Sequence, residues 1–186
     1  MTSLVIYPDN QPSQGVRYIG FETIKNRLQH IGVELERWTA EMPLTADAGQ
    51  DAVLAAYSDS VEKLKQRYGF QSVDVAALTP DHPDKAALRQ KFLAEHIHED
   101  FEVRFFVAGN GLFYLHADSQ VFALLCEQGD LISVPAKVRH WFDMGENPDF
   151  KCIRLFTAPD GWVAEFTGST IANMFPRYED FMAELA

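Results

Sequence analysis

Cysteine is nearly absent. The 186-residue chain holds two, Cys126 and Cys152, each inside an apolar stretch. Two thiols make no disulfide framework, so both are expected reduced and buried. Positive charge is short as well: 16 lysines and arginines stand against 27 aspartates and glutamates, a formal net charge of -11. That balance argues against a nucleic-acid binder, which shows a basic face, and against docking on anionic membrane surfaces. It leaves room for an anionic small substrate, since a few buried arginines reverse the field locally. No apolar run approaches the roughly 20 residues that cross a bilayer. Met1–Pro8 lacks a basic region ahead of a long apolar run, so no signal peptide is expected and the cytosol is the default. Internal repeats and low-complexity linkers are missing too. One folding unit over residues 1–186 is expected, and a monomer is adequate for this size.

What is present changes character near Pro83. Before it, Phe21, Ile24, Leu28 and Ile31 recur at helical spacing and stop at Gly32. Val53, Tyr57, Val61, Leu64 and Tyr68 do the same and stop at Gly69. A third, shorter helix is expected near Asp81, with Pro83 in its first turn. After residue 91 come short apolar runs cut by Gly, Asn, Asp and Pro: Val103–Val107, Leu112–Leu115, Val121–Cys126, Leu131–Val134, Lys151–Phe156 and Trp162–Phe166. Strands this short and evenly punctuated imply an antiparallel sandwich or barrel. The expected class is mainly β with helices, α+β. A mixed, helical N-terminal portion (1–90) packs on a β-barrel (91–170), followed by a C-terminal tail (171–186).

One stretch carries chemistry: Glu95-His96-Ile97-His98-Glu99-Asp100-Phe101-Glu102. Residues i and i+2 of a strand share a face, so His96 and His98 aim two imidazoles at one point. A tight turn at Glu99–Phe101 would bring the chain back and add the Glu102 carboxylate. Farther on, Gly129, Pro135 and His140 offer a fourth ligand from another strand. Glu99 and Asp100 read as solvated turn acids. His30, His82 and His116 stand alone and read as ordinary surface or core histidines. Three imidazoles and one carboxylate suit Fe(II), Ni(II), Co(II) or Mn(II) in six-coordination, leaving two positions for a chelating substrate. The same four ligands around tetrahedral zinc would make a closed, structural site.

These residues resemble the two cupin motifs, G-x5-HxH-x3-4-E-x6-G and G-x5-P-x-G-x2-H-x3-N. Three turn positions depart from the pattern: Gln90, Lys137 and Met144 stand where the motifs have Gly, Gly and Asn. Further features are similar to the acireductone dioxygenase family: Glu102-Val103-Arg104, Gly109-Asn110-Gly111-Leu112-Phe113, His140-Trp141-Phe142, Arg154-Leu155-Phe156 and Trp162. The resemblance covers residues 92–166 and implies a cupin-type double-stranded antiparallel β-barrel. It implies one Fe(II) or Ni(II) per chain on His96, His98, Glu102 and His140. The substrates it implies are the acireductone 1,2-dihydroxy-3-keto-5-methylthiopentene and dioxygen, in methionine salvage. The Fe(II) form would give 2-keto-4-methylthiobutyrate and formate. The Ni(II) form would give 3-methylthiopropionate, formate and carbon monoxide.

A guanidinium beside the ligands would stabilise the enediolate without deprotonating. Arg104 shares the face of Glu102 by alternation and is the first candidate; Arg154 is the second. The methylthio tail needs an apolar wall, for which Phe92, Phe142 and Trp162 are candidates, with Arg104 beside them. Two rival readings share the metal motif: a cupin dioxygenase of another chelating substrate, such as a flavonol or diketone, and a non-catalytic small-molecule-binding cupin.

Overall fold

The computed structural model describes residues 1–185. The chain opens with strands, not helices. β1 (Ser3–Pro8) carries the apolar run Leu4-Val5-Ile6-Tyr7, buried on both faces, and pairs antiparallel with β2 (Val16–Tyr18). α1 (Phe21–Gln29) buries Ile24 and Leu28, one helical turn apart, and the turn after it closes at Gly32 with φ +75°. β3 (Glu34–Arg37) follows. The helix expected over Val53–Tyr68 is two helices, α2 (Gln50–Ala56) and α3 (Ser58–Tyr68), because Tyr57 leaves the helical region at φ -124°. Gly69 ends α3 in the left-handed conformation, its N–H bonded to the Lys65 carbonyl. β4 (Ser72–Leu78) comes next. α4 (Lys85–Phe92) starts after Asp84, three residues beyond the expected cap, with Pro83 ahead of it.

The remaining strands are β5 (His96–Ile97), β6 (Glu102–Ala117), β7 (Gln120–Glu127), β8 (Asp130–Val134), β9 (Arg139–Asp143), β10 (Phe150–Phe156) and β11 (Glu165–Phe166). A 3-10 turn at Ile171–Met174 and α5 (Tyr178–Ala183) fold the tail back. The strand expected over Trp162–Phe166 shrinks to its last two residues.

All strand pairings are antiparallel. One sheet runs β11-β5-β9-β6-β7-β1-β2; the other joins β4, β10, β6, β8 and β3. β6 belongs to both. The sequence implies two strands cut at Gly109-Asn110-Gly111, but β6 is one 16-residue strand that bends there. Gly109 stands at φ +71°, and the register with β10 slips between Lys151 and Cys152. The bulge changes which parity faces inward. Phe106 packs inside the barrel before it and Phe113 after it, while Phe105 and Tyr114 pack on opposite outer faces.

The N-terminal 90 residues pack helices on the barrel, as expected, and also add strands to it. They supply β1 beside β7 and β4 beside β10. Three apolar layers result. The barrel interior joins Leu4, Phe106, Phe113, Ile132 and Phe142 with Ile24 and Leu28 of α1. α2 and α3 cover one outer face over Phe105, Val103 and Leu155. The tail covers another, where Phe175 and Phe181 join Tyr114 and Trp141. Among the described residues, no helix is long and apolar enough to cross a membrane.

Candidate metal centre

Four positions converge. His96 lies on β5 and His98 just after it; Glu102 begins β6; His140 lies on β9, directly across from His96. A turn at 99–101 returns the chain beside the histidines. One nitrogen or oxygen from each of the four residues lies within 4.8 Å of the others, and all four side chains are buried. N and O donors stand about 2.0–2.2 Å from a divalent first-row ion, so ligand atoms on opposite sides of one ion are about 4–4.4 Å apart. The cluster is close to that size.

The backbone fixes which atoms face inward. His96 Nδ1 lies 2.8 Å from the Ala94 carbonyl, His98 Nδ1 3.0 Å from that of Val163, and His140 Nδ1 2.7 Å from that of Val138. A carbonyl only accepts, so each Nδ1 carries the proton and donates. Each Nε2 is left with its lone pair toward the centre. His140 Nε2 is then 2.8 Å, and His98 Nε2 3.3 Å, from the same Glu102 oxygen, Oε2. Acceptors facing acceptors at this range need positive charge between them. A divalent cation supplies it to all four groups at once, so the donor set fits a metal ion.

Burial pushes the His96 imidazole down to about 4, helped by the neighbouring His140, so the ring is neutral at physiological pH, as a ligand must be. Burial alone would push Glu102 up. The Arg104 guanidinium outweighs it and, with the His140 and His98 rings beside the carboxyl, holds it well below its usual range.

Around the centre lies a cavity of about 300 Å³. Each residue singled out in the sequence lines it: Phe92, Arg104, Phe142, Arg154 and Trp162 beside the four ligands. Arg104 donates to Glu102 Oε1 at 2.5 Å and lies between two rings, its Cζ 4.9 Å from the Phe142 centroid and 5.2 Å from that of Phe113. Its Nε is buried without a hydrogen-bond partner. Arg154 is held by Asp74 through Nε at 2.9 Å and Nη2 at 2.7 Å. Trp162 is about half exposed, a rim residue and not core.

Several contributors escaped the sequence reading. Phe113, Phe156, Val163, Phe166 and the exposed Lys91 also line the cavity. The Phe166 ring stands 5.9 Å from that of His96, its cross-strand partner. Asp100, read as a solvated turn acid, is buried. It accepts from the N–H groups of Phe101, Thr157 and Ala158 and from the Thr157 hydroxyl, tying the turn between His98 and Glu102 to the start of the segment that carries Trp162. Its signal was faint: a short carboxylate between two ligands, whose donors lie 57 and 58 residues away. Glu99 is exposed, as expected, and pairs with Lys137. His116 is a satisfied core histidine, 2.7 Å from Glu95 and 3.4 Å from Asp9. Lys137, where the motif has glycine, keeps the left-handed turn at φ +65°, its N–H bonded to the His98 carbonyl. Both cysteines are buried free thiols, and burial pushes Cys152 up to about 12 and Cys126 well above its usual value.

The model of the ARD/ARD′ family matches residues 4–164. An acireductone dioxygenase from Methylococcus capsulatus is 55% identical over 186 residues, spanning the whole of both chains. One from Marinobacter nauticus is 58% identical over 180 residues, 96% of this chain and 97% of that protein. Among solved structures, an acireductone dioxygenase from Bacillus anthracis with a cadmium ion in its active centre superposes with a TM-score of 0.80. It is 31% identical and covers 89% of this chain and 98% of that one.

Proposed function

The chain belongs to the ARD/ARD′ family, and on that premise we propose that its centre holds one Fe(II) or Ni(II) ion and acts on 1,2-dihydroxy-3-keto-5-methylthiopentene in methionine salvage. The enzyme is a metal-dependent acireductone dioxygenase on a cupin-type barrel. The finer reading concerns the ion, the products and the residues that meet the substrate. One observation carries it: three Nε2 lone pairs and a carboxylate converge inside a cavity that also holds a guanidinium with a buried, unpartnered N–H.

Once bound, the ion would supply Lewis acidity and coordination positions for a substrate with neighbouring oxygens. His96, His98, Glu102 and His140 would hold it. Arg104 offers its free N–H to the enediolate and cannot itself give up a proton at neutral pH. The two phenylalanine rings keep its guanidinium from swinging away. Arg154 presents a second positive group from β10. Phe92, Phe142 and Trp162 form the apolar wall for the methylthio tail, joined by Phe156 and Phe166. The reading places the enzyme in the cytosol as a monomer that works on small molecules.

The test is to strip the protein of metal, reload it with Fe(II) or Ni(II), and follow oxygen uptake with the acireductone. The Fe(II) form is expected to yield 2-keto-4-methylthiobutyrate and formate. The Ni(II) form is expected to yield 3-methylthiopropionate, formate and carbon monoxide in the headspace. Oxygen uptake with the same products from both forms would refute the dependence of product on metal.

A further inference from the structure

We propose that Asp74 is a positioning residue for Arg154, setting how that guanidinium meets the anionic substrate. The inference rests on the reading above, that Arg154 contacts substrate.

Asp74, on β4, lies directly across from Arg154 on β10, and Arg154 lies directly across from Arg104 on β6. Cross-strand partners share a face, so the three form one row ending inside the cavity. Two guanidiniums directly opposite each other repel. Each has its own carboxylate: Glu102 at 2.5 Å for Arg104, and Asp74 at 2.9 and 2.7 Å for Arg154. The Asp74 contact is two-pronged, through Nε and Nη2, which fixes the plane of the guanidinium as well as its place. Nη1 is left over for a ligand. Removing the Asp74 charge leaves Arg154 facing Arg104 without compensation, with solvent on its other side. Arg154 would then swing out, and an anionic ligand would lose that partner.

The Arg154 and Asp74 side chains are 29% and 46% exposed, and ion pairs that accessible contribute little to stability. Loss of Asp74 should therefore leave the fold and the metal in place, which keeps the test clean.

The experiment compares the unmodified enzyme with D74N, D74E, R154M and the double variant D74N/R154M, all loaded with metal. The acireductone is titrated without oxygen, its binding read by tryptophan fluorescence, since Trp162 lines the cavity. KM and kcat are then measured in air. D74N is expected to weaken binding and raise KM by roughly tenfold, with kcat changed by less than about threefold. D74E should recover part of the loss. Metal content and melting temperature should stay unchanged. Adding D74N to R154M should change binding by less than about twofold, because the residue that Asp74 positions is already gone.

Multiplying effects of D74N and R154M would overturn the inference, as would metal loss in D74N. R154M impaired with D74N silent would overturn it too, while leaving Arg154 as a substrate contact. If R154M itself binds and turns over normally, the reading of Arg154 fails, and the role of Asp74 fails with it.

Discussion

A histidine can ligate through either ring nitrogen, and here three main-chain carbonyls make the choice. Those of Ala94, Val138 and Val163 take the Nδ1 protons and leave Nε2 for the centre. Replacing His96 or His140 by alanine should remove most bound metal and activity while the barrel stays folded, because its interior is apolar apart from the site. Elemental analysis decides it; full occupancy in both variants would refute the ligand assignment. Arg104 makes the opposite prediction. It touches the proposed ligand Glu102 through one oxygen only. Arg104→Ala should therefore retain metal and lose turnover by about 100-fold or more, in line with removal of one charge-stabilising donor. Arg104→Lys should recover part of that, lacking the planar fork. Steady-state kinetics beside metal analysis separates the two effects, and near-normal turnover of the alanine variant would remove the role. At this scale the sequence was most informative. The four candidate ligands stand out by spacing, and the structure brings them together with Arg104 on their face, as parity implies. Phe166 and Asp100 stayed hidden because their neighbours come from strands and turns that no local pattern connects.

Elements were read less evenly, and the reasons are local. Helix endings at Gly32 and Gly69 were legible because a left-handed residue after an apolar stripe is a backbone requirement. The break at Tyr57 was not, since an apolar stripe continues across it. β6 was cut in two by its own glycines. Gly-Asn-Gly usually marks a turn, but here the strand bends and continues because β10 follows it round with a slipped register. That bend makes a prediction. A Cβ on Gly109 would run into the carbonyl of Asp149, and the φ of +71° is already unfavourable for alanine. Gly109→Ala should lose about 1–3 kcal/mol from the backbone conformation alone, and more from the collision. A denaturant titration measures it, and an unchanged midpoint would mean the bend is not built on that glycine. Lys137 shows the converse. It occupies a left-handed position without being glycine, so the motif's missing glycine changed the residue and not the turn. The strands β1 and β4 were overlooked although Leu4-Val5-Ile6-Tyr7 is a fair strand signature. Beside strong helical stripes, a short run reads as helix or strand only once its partner is known.

Across the whole molecule, a net charge of -11 surrounds a cavity lined by Lys91, Arg104 and Arg154, with Glu102 as its acid. The bulk charge spoke against polyanionic partners; the local reversal suits a small anion. The closure of the sheets has a different kind of consequence, which concerns the order in which the chain is made. Ser3 pairs with Leu125, and Asp74 with Arg154. β1 meets the short β2 soon after synthesis, but it waits for its barrel neighbour β7, 122 residues behind it. At about 5–20 residues per second that is roughly 6 to 24 seconds. For that interval Leu4-Val5-Ile6-Tyr7 is an apolar segment with only the three-residue β2 beside it, and the set of four candidate metal ligands is complete only later, at His140. The barrel cannot close piecemeal from its beginning. It closes when its second half is out, so the newborn chain depends on whatever shields β1 in the meantime.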